Sequence, residues 1–183
     1  MENKEKTSWV GEFGALERVS FLSDLLNKQV EIRNMLDLRT NIMIGFNSAL
    51  IIFFAASFKG NLAENLLLIL FLGVIFISML FALMALKPSH FVTKKGQEDS
   101  LFYHHKICSK DHEEYHQEIF AALKNEDKIY DAYVLEVYNL TRYSNIPRKF
   151  YLNWSIRSLF YGSILAVVIY IIYLIIVSVF ATV

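Results

Sequence analysis

His112-Glu113-Glu114-Tyr115-His116 satisfies the pattern His-Glu-x-x-His. On a helix, histidines four apart share a face and can hold zinc while the glutamate between them activates a water. The surroundings argue for something plainer. Metalloprotease helices set this motif among uncharged residues, whereas Lys110, Asp111, Glu114 and Glu118 crowd it here, as on a solvated face. His104 and His105 lie about two turns upstream if the helix is continuous, and no later residue stands out as a third ligand. We therefore expect no metal site at His112, Glu113 and His116, and no catalytic residue. Cys108 is the single cysteine. It precludes an internal disulfide, suits a reducing cytoplasmic location, and as a lone thiol reads as structural. No Gly-rich phosphate loop is present.

The basic residues between 87 and 158 offer a different chemistry. Lys94, Lys95, Lys106, Arg142, Arg148 and Lys149 could line a pocket for a phosphate or nucleotide, with Tyr103, Tyr130, Tyr138 or Tyr143 to stack on a base. The alternative is charge retained on the cytoplasmic side of a membrane, with tyrosines at headgroup level. Formal net charge is zero, which gives no signal for a nucleic acid polymer.

These residues must be positioned by elements that are largely apolar. The chain is 55% apolar and 15% aromatic, with mean hydropathy +0.36, too lipophilic for an ordinary soluble domain. Three runs carry no charge: Ile42 to Phe58, Leu66 to Leu86, and Leu159 to Phe180. Each is about as long as a helix needs to be to cross a hydrocarbon core roughly 30 Å thick. Lys59-Gly60-Asn61 turns the first two into an antiparallel hairpin, and Lys87-Pro88 stops the second. Six basic residues precede the first run, one lies in the hairpin loop, 11 lie between the second and third, and none follows. That asymmetry predicts a cytoplasmic N-terminus and an outside C-terminus. No apolar leader precedes residue 42, so the first span is expected to act as its own insertion signal.

The expected fold is all-α: an integral membrane protein with three transmembrane helices and a small cytoplasmic helical bundle. Residues 1–40 form a cytoplasmic amphipathic helix running into the first span, 41–86 the hairpin, 87–158 a cytoplasmic helical segment, and 159–183 the third span. Within 87–158 the pattern predicts a linker to residue 100, a helix over 101–124, and another from Asp127, with Pro147 as a kink or a fresh start. Asn47 inside the first span must find a partner or face a polar path, with Ser48 beside it. Small residues four apart, Gly45 and Ala49, Ser78 and Ala82, Gly162 and Ala166, predict close helix packing, within one chain or between copies.

Several local patterns, in the right order over most of the chain, resemble the Pycsar effector transmembrane family of bacterial anti-phage defence. Asp37-Leu38-Arg39 leading to Ile44-Gly45-Phe46-Asn47 is similar to its acidic-x-basic entry and Asn-bearing first span. Leu86-Lys87-Pro88 fits the end of the second span, and Ser100-Leu101-Phe102-Tyr103-His104-His105-Lys106-Ile107 resembles an aromatic-Gly-His segment. Ser144-Asn145-Ile146-Pro147-Arg148-Lys149-Phe150 resembles the Ser-x-Ile-x-x-Lys-aromatic element before the last span. Arg39, Thr40 and His104 depart from the commoner Lys, Ala and Gly.

The resemblance implies a multi-pass effector of the bacterial inner membrane that damages it under control of a cyclic nucleotide made by a partner cyclase. A cyclic mononucleotide and a cyclic dinucleotide both fit, as do activation and restraint by the ligand. The nucleotide is a signal here, and no cofactor is expected. The residues expected to contact it are Arg142, Arg148, Lys149, His104, His105 and Lys106; Asn47, Ser48, Gly45 and Ala49 are those expected at a pore or helix contact in a homo-oligomer. A non-enzymatic membrane adaptor that docks a cytoplasmic partner is the competing class, and a zinc hydrolase a third.

Overall fold

The computed structural model describes residues 15–58, 65–86, 101 and 104–181. The turn at 59–61, Lys87-Pro88, the linker 88–100, Lys94, Lys95 and Tyr103 lie outside them. All described elements are helical: α1 (Ala15–Ala56), α2 (Leu66–Leu86), α3 (His104–Ser109), α4 (His112–Leu123), α5 (Glu126–Asn139), a π-helical turn (Leu140–Asn145) and α6 (Ile146–Ala181). Three of the helical stretches, 17–56, 66–86 and 127–179, are long and apolar enough to cross a membrane, and they carry the three expected spans.

Local chemistry explains the boundaries. The uninterrupted stretch from Glu17 onward keeps α1 continuous over 42 residues, so the amphipathic segment and the first span are one helix. The helix expected over 101–124 is instead broken at Lys110-Asp111. Asp111 adopts an extended backbone and its carboxylate accepts from the His112 amide at 2.8 Å, capping α4. Asn125 does the same for α5, accepting from the Asp127 amide at 3.0 Å. Pro147 brings no N–H to the carbonyl four residues back, and its ring would crowd it. The chain answers by widening into the π-helical turn just before it, and α-helical pairing resumes as α6 at Ile146 with no break in the helical backbone.

The chain forms two compact units, residues 1–33 with 89–145 and residues 34–88 with 146–183. The sequence-based divisions at 40, 86 and 158 follow charge; the units follow packing. In the first unit few apolar side chains are buried, chiefly Ala122, Ala132 and Leu140, and polar ties do much of the holding. Asn145 donates from Nδ2 to the Gln29 carbonyl and to Gln29 Oε1, each at 3.1 Å. The Arg18 guanidinium lies 5.3 Å from the Tyr130 ring centroid.

In the second unit, α2 and α6 pack along one another. Trp154 meets Phe81 and Gly162 meets Val74, so rising numbers on α6 face falling numbers on α2 and the two run antiparallel. Phe54 of α1 stacks on Phe71 of α2 at 5.4 Å, consistent with an antiparallel hairpin. The interior is made of small and polar residues: Thr40, Asn47, Ser78, Ala82, Ala85, Ser155 and Ala166, with Leu36, Ile75 and Leu152. Large apolar side chains such as Ile52, Phe53, Phe76 and Ile175 point outward, as lipid-facing residues do.

Candidate functional site

The second unit concentrates its polar groups on three helix faces that meet. Ser78 of α2 and Ser155 of α6 exchange hydrogen bonds, the Ser78 hydroxyl donating to the Ser155 carbonyl at 3.0 Å and the Ser155 hydroxyl to the Ser78 carbonyl at 2.8 Å. Asn47 of α1 donates from Nδ2 to Ser78 Oγ at 3.0 Å. All three residues are fully buried. Such closeness needs small side chains. A Cβ built on Gly162 would stand 2.6 Å from Val74 Cγ1, which only glycine avoids without movement of the neighbour.

Toward the N-terminal end of α6, Arg148 pairs with Asp37 of α1. Arg148 is 9% exposed, and its charge-assisted bond compensates for the loss of water. Thr40 satisfies its hydroxyl within α1, donating to the Leu36 carbonyl at 2.7 Å.

The expected site residues therefore divide. Asn47 makes an interhelical bond and has no exposed surface, while Ser48 donates back to the Ile44 carbonyl at 2.8 Å. Gly45 and Ala49 face outward on α1, and a Cβ on Gly45 would meet nothing within 4 Å. Arg148 is committed to Asp37, whereas Lys149 in the same unit is exposed. Arg142 belongs to the first unit, in the π-helical turn, and is exposed. His104, His105 and Lys106 open α3, with their side chains outside the described set.

His112 and His116 lie side by side on exposed α4, ring centroids 6.3 Å apart. The break at Lys110-Asp111 puts His104 and His105 on a separate helix, so the continuous helix needed for a third ligand two turns upstream is interrupted. Among the described residues no three His, Cys, Asp or Glu side chains converge as a metal site. Lys110 bonds Glu118 at 2.6 Å and Glu114 at 3.4 Å; the Glu118 bond above all holds its ammonium above the ordinary lysine pKa.

Sequence reasoning missed Ser155 as a partner. It lies before the uncharged third run, among Trp154, Ile156 and Arg157, and so reads as flank. The available signal was spacing: Ser155, Gly162 and Ala166 fall seven and four apart and extend one small-residue face.

A family model described as the Pycsar effector protein domain matches residues 22–176. Neither a curated protein nor a solved structure matches the chain.

Proposed function

Because the chain belongs to the Pycsar effector family and carries three helices able to cross a membrane, we propose that it is a membrane effector of anti-phage defence that disrupts the inner membrane on a cyclic-nucleotide signal. In this reading the N-terminus and the residues between α2 and α6 are cytoplasmic and the C-terminus is outside. A partner cyclase supplies the nucleotide. Copies of the chain assemble, and the leak opens between their helices.

The observation that carries the mechanism is the polar joining of α1, α2 and α6 through Asn47, Ser78 and Ser155, and of α1 to α6 through Asp37 and Arg148. Interhelical hydrogen bonds in a bilayer are directional and few, so exchanging them repacks helices as a unit. Both α1 and the helical stretch ending in α6 pass without a break in helical backbone from one unit to the other, at residues 33–34 and 145–146. Ligand contact in the first unit, with Arg142 and residues 104–106 as candidates, then reaches the spans through these helices. An anionic phosphate also competes with Asp37 for Arg148, and that exchange would free α1 from α6.

The test is dye entry and membrane potential in bacteria expressing the chain with and without a nucleotide cyclase. Depolarisation and dye entry that depend on the cyclase support the proposal. Intact membranes under every cyclic nucleotide supplied would refute it.

A further inference from the structure

One face of α1 packs against nothing in its own protomer. In the second unit α1 turns Leu36, Thr40 and Asn47 inward, and all three are buried. At about 100° per residue, the far side of the helix carries Met35, Leu38, Ile42, Gly45, Ala49, Ile52 and Ala56. All of these are exposed, the large ones by 42–70%. They follow one another by alternating steps of three and four, the spacing that keeps a straight seam between two paired helices. Lipid makes no such demand, because acyl chains accept large apolar residues in any order. The outer face of α6, from Val167 to Val179, is of that second kind, a dense run of exposed Val, Ile and Leu.

The middle of the seam is small rather than large. A Cβ on Gly45 would meet nothing within 4 Å, so no packing inside the protomer calls for glycine there, although glycine weakens a helix interior relative to alanine. Ala49 continues the floor one turn on, and the exposed Phe46 and Phe53 stand along one edge of it. Small residues with bulkier ones beside them let two helices approach closely, and in lipid such contact is a main source of attraction. Gly73 of α2 is open as well, but it stands among Phe76, Ile77 and Leu80 and forms no floor.

A second observation, at the polar end of the seam, indicates the occupant. Asn34 and Arg39 are exposed on opposite flanks of it. In two parallel helices paired along such a seam, a residue one place before a seam position lies beside the partner residue five further along the chain. Asn34 of one copy then meets Arg39 of the other, and symmetry repeats the contact. The guanidinium donates to the Asn34 side-chain carbonyl, a charge-assisted bond. A second copy of this chain supplies both halves of both contacts.

We propose that this face of α1 joins two copies of the chain, α1 against α1, parallel and about a twofold axis. Gly45 and Ala49 make the close contact, Met35, Leu38 and Ile42 extend it toward Arg39, and Ile52 and Ala56 extend it the other way. Asn47, on the inward face, takes no part. This rests on the reading that copies assemble, and adds to it the surface that joins them.

Cysteine cross-linking of the full chain in bacterial membranes tests it, each variant made with Cys108→Ser and oxidised with copper phenanthroline. Ile42→Cys, Ala49→Cys and Ile52→Cys should form disulfide-linked dimers about tenfold faster or more than Ile77→Cys. Ile77 is exposed on α2, and the bond from Asn47 to Ser78 sets it level with the middle of the seam. Equal rates at Ile77 and at the seam would overturn the proposal, as would products joining the chain to a different protein instead of to itself. Gly45→Ile with Ala49→Ile fills the floor at positions that face away from the protomer, and should slow the Ile52→Cys cross-link about tenfold; Gly45→Ala keeps the floor small and should leave it near the parent rate. A cross-link unaffected by the double substitution would also overturn the pairing. Cyclase-dependent dye entry judges the leak separately: dimers without dye entry refute the leak and uphold the pairing, whereas dye entry without dimers refutes the pairing.

Discussion

Substituting alanine for Gly162 tests the close packing of α2 and α6 on which the depth of every α6 residue depends. The added Cβ would stand 2.6 Å from Val74 Cγ1, 3.0 Å from Cγ2 and 3.4 Å from Cβ. Both methyls of a stiff β-branched side chain are too close, so one rotation cannot clear the overlap. Overpacking of this kind costs about 1–3 kcal/mol, while alanine in a helix is worth about 1 kcal/mol over glycine. Gly162→Ala should therefore destabilise by roughly 0–2 kcal/mol net in the parent chain. With Val74→Ala in place the methyls are gone and the remaining Cβ is at ordinary contact distance. Gly162→Ala should then stabilise by up to about 1 kcal/mol, as Gly45→Ala should in either background, where nothing lies within 4 Å. Denaturant titration in detergent micelles, followed by circular dichroism, gives the coupling between the two sites. Equal effects of Gly162→Ala in both backgrounds would refute this packing of α6 on α2.

Other consequences follow from the polar contacts. Arg148→Ala leaves Asp37 partly buried without its partner and should cost about 3 kcal/mol, at the low end for buried pairs because Asp37 is 34% exposed; the exchanged pair Asp37→Arg with Arg148→Asp should recover part of it in the same titration, and a double variant worse than either single one would contradict the contact. Asn47→Ala should cost roughly 0.6–2 kcal/mol, and adding Ser78→Ala should cost less than its single effect because both remove one bond. The parent chain should carry no stoichiometric zinc, and Glu113→Gln should leave cyclase-dependent dye entry at the parent level; bound zinc together with loss of dye entry in Glu113→Gln would revive the metal reading of His112 and His116. Asn145→Ala removes both bonds to Gln29 and should weaken the first unit by about 1–2 kcal/mol, seen as faster amide exchange around residue 29.

The spans were legible because an uncharged run of sufficient length has few fates, and the continuity of α1 because nothing in its sequence breaks a helix at the membrane entry. The break at Lys110-Asp111 was not legible in the same way. Asp111 is unremarkable within a charged stretch, and only its backbone conformation turns it into a cap. Pro147 announced a disturbance, but whether a helix kinks, stops or widens by one residue depends on what its neighbours bury. Arg148 shows the limit most clearly. Its type and position suit a phosphate, yet its partner Asp37 lies 111 residues away, and no local pattern joins the two. The register of α6 against α2 is a tertiary fact, set by a serine pair and a glycine.

The same contacts sort the polar groups at membrane depth by the work they can do. A group already hydrogen-bonded inside the protomer stabilises a particular packing, and exposing it to a path would first require breaking that bond. Asn47, Ser78 and Ser155 are of this kind, as are Ser48 and Ser163, whose hydroxyls return to carbonyls of their own helices. Perturbing these groups should therefore change packing rather than ion preference. Asn47→Ala alters how readily the helices hold or repack, and should shift the amount of cyclase needed for dye entry while leaving ion preference as it was. An Asn47→Ala chain with altered selectivity would assign the path to the Asn47 face of α1.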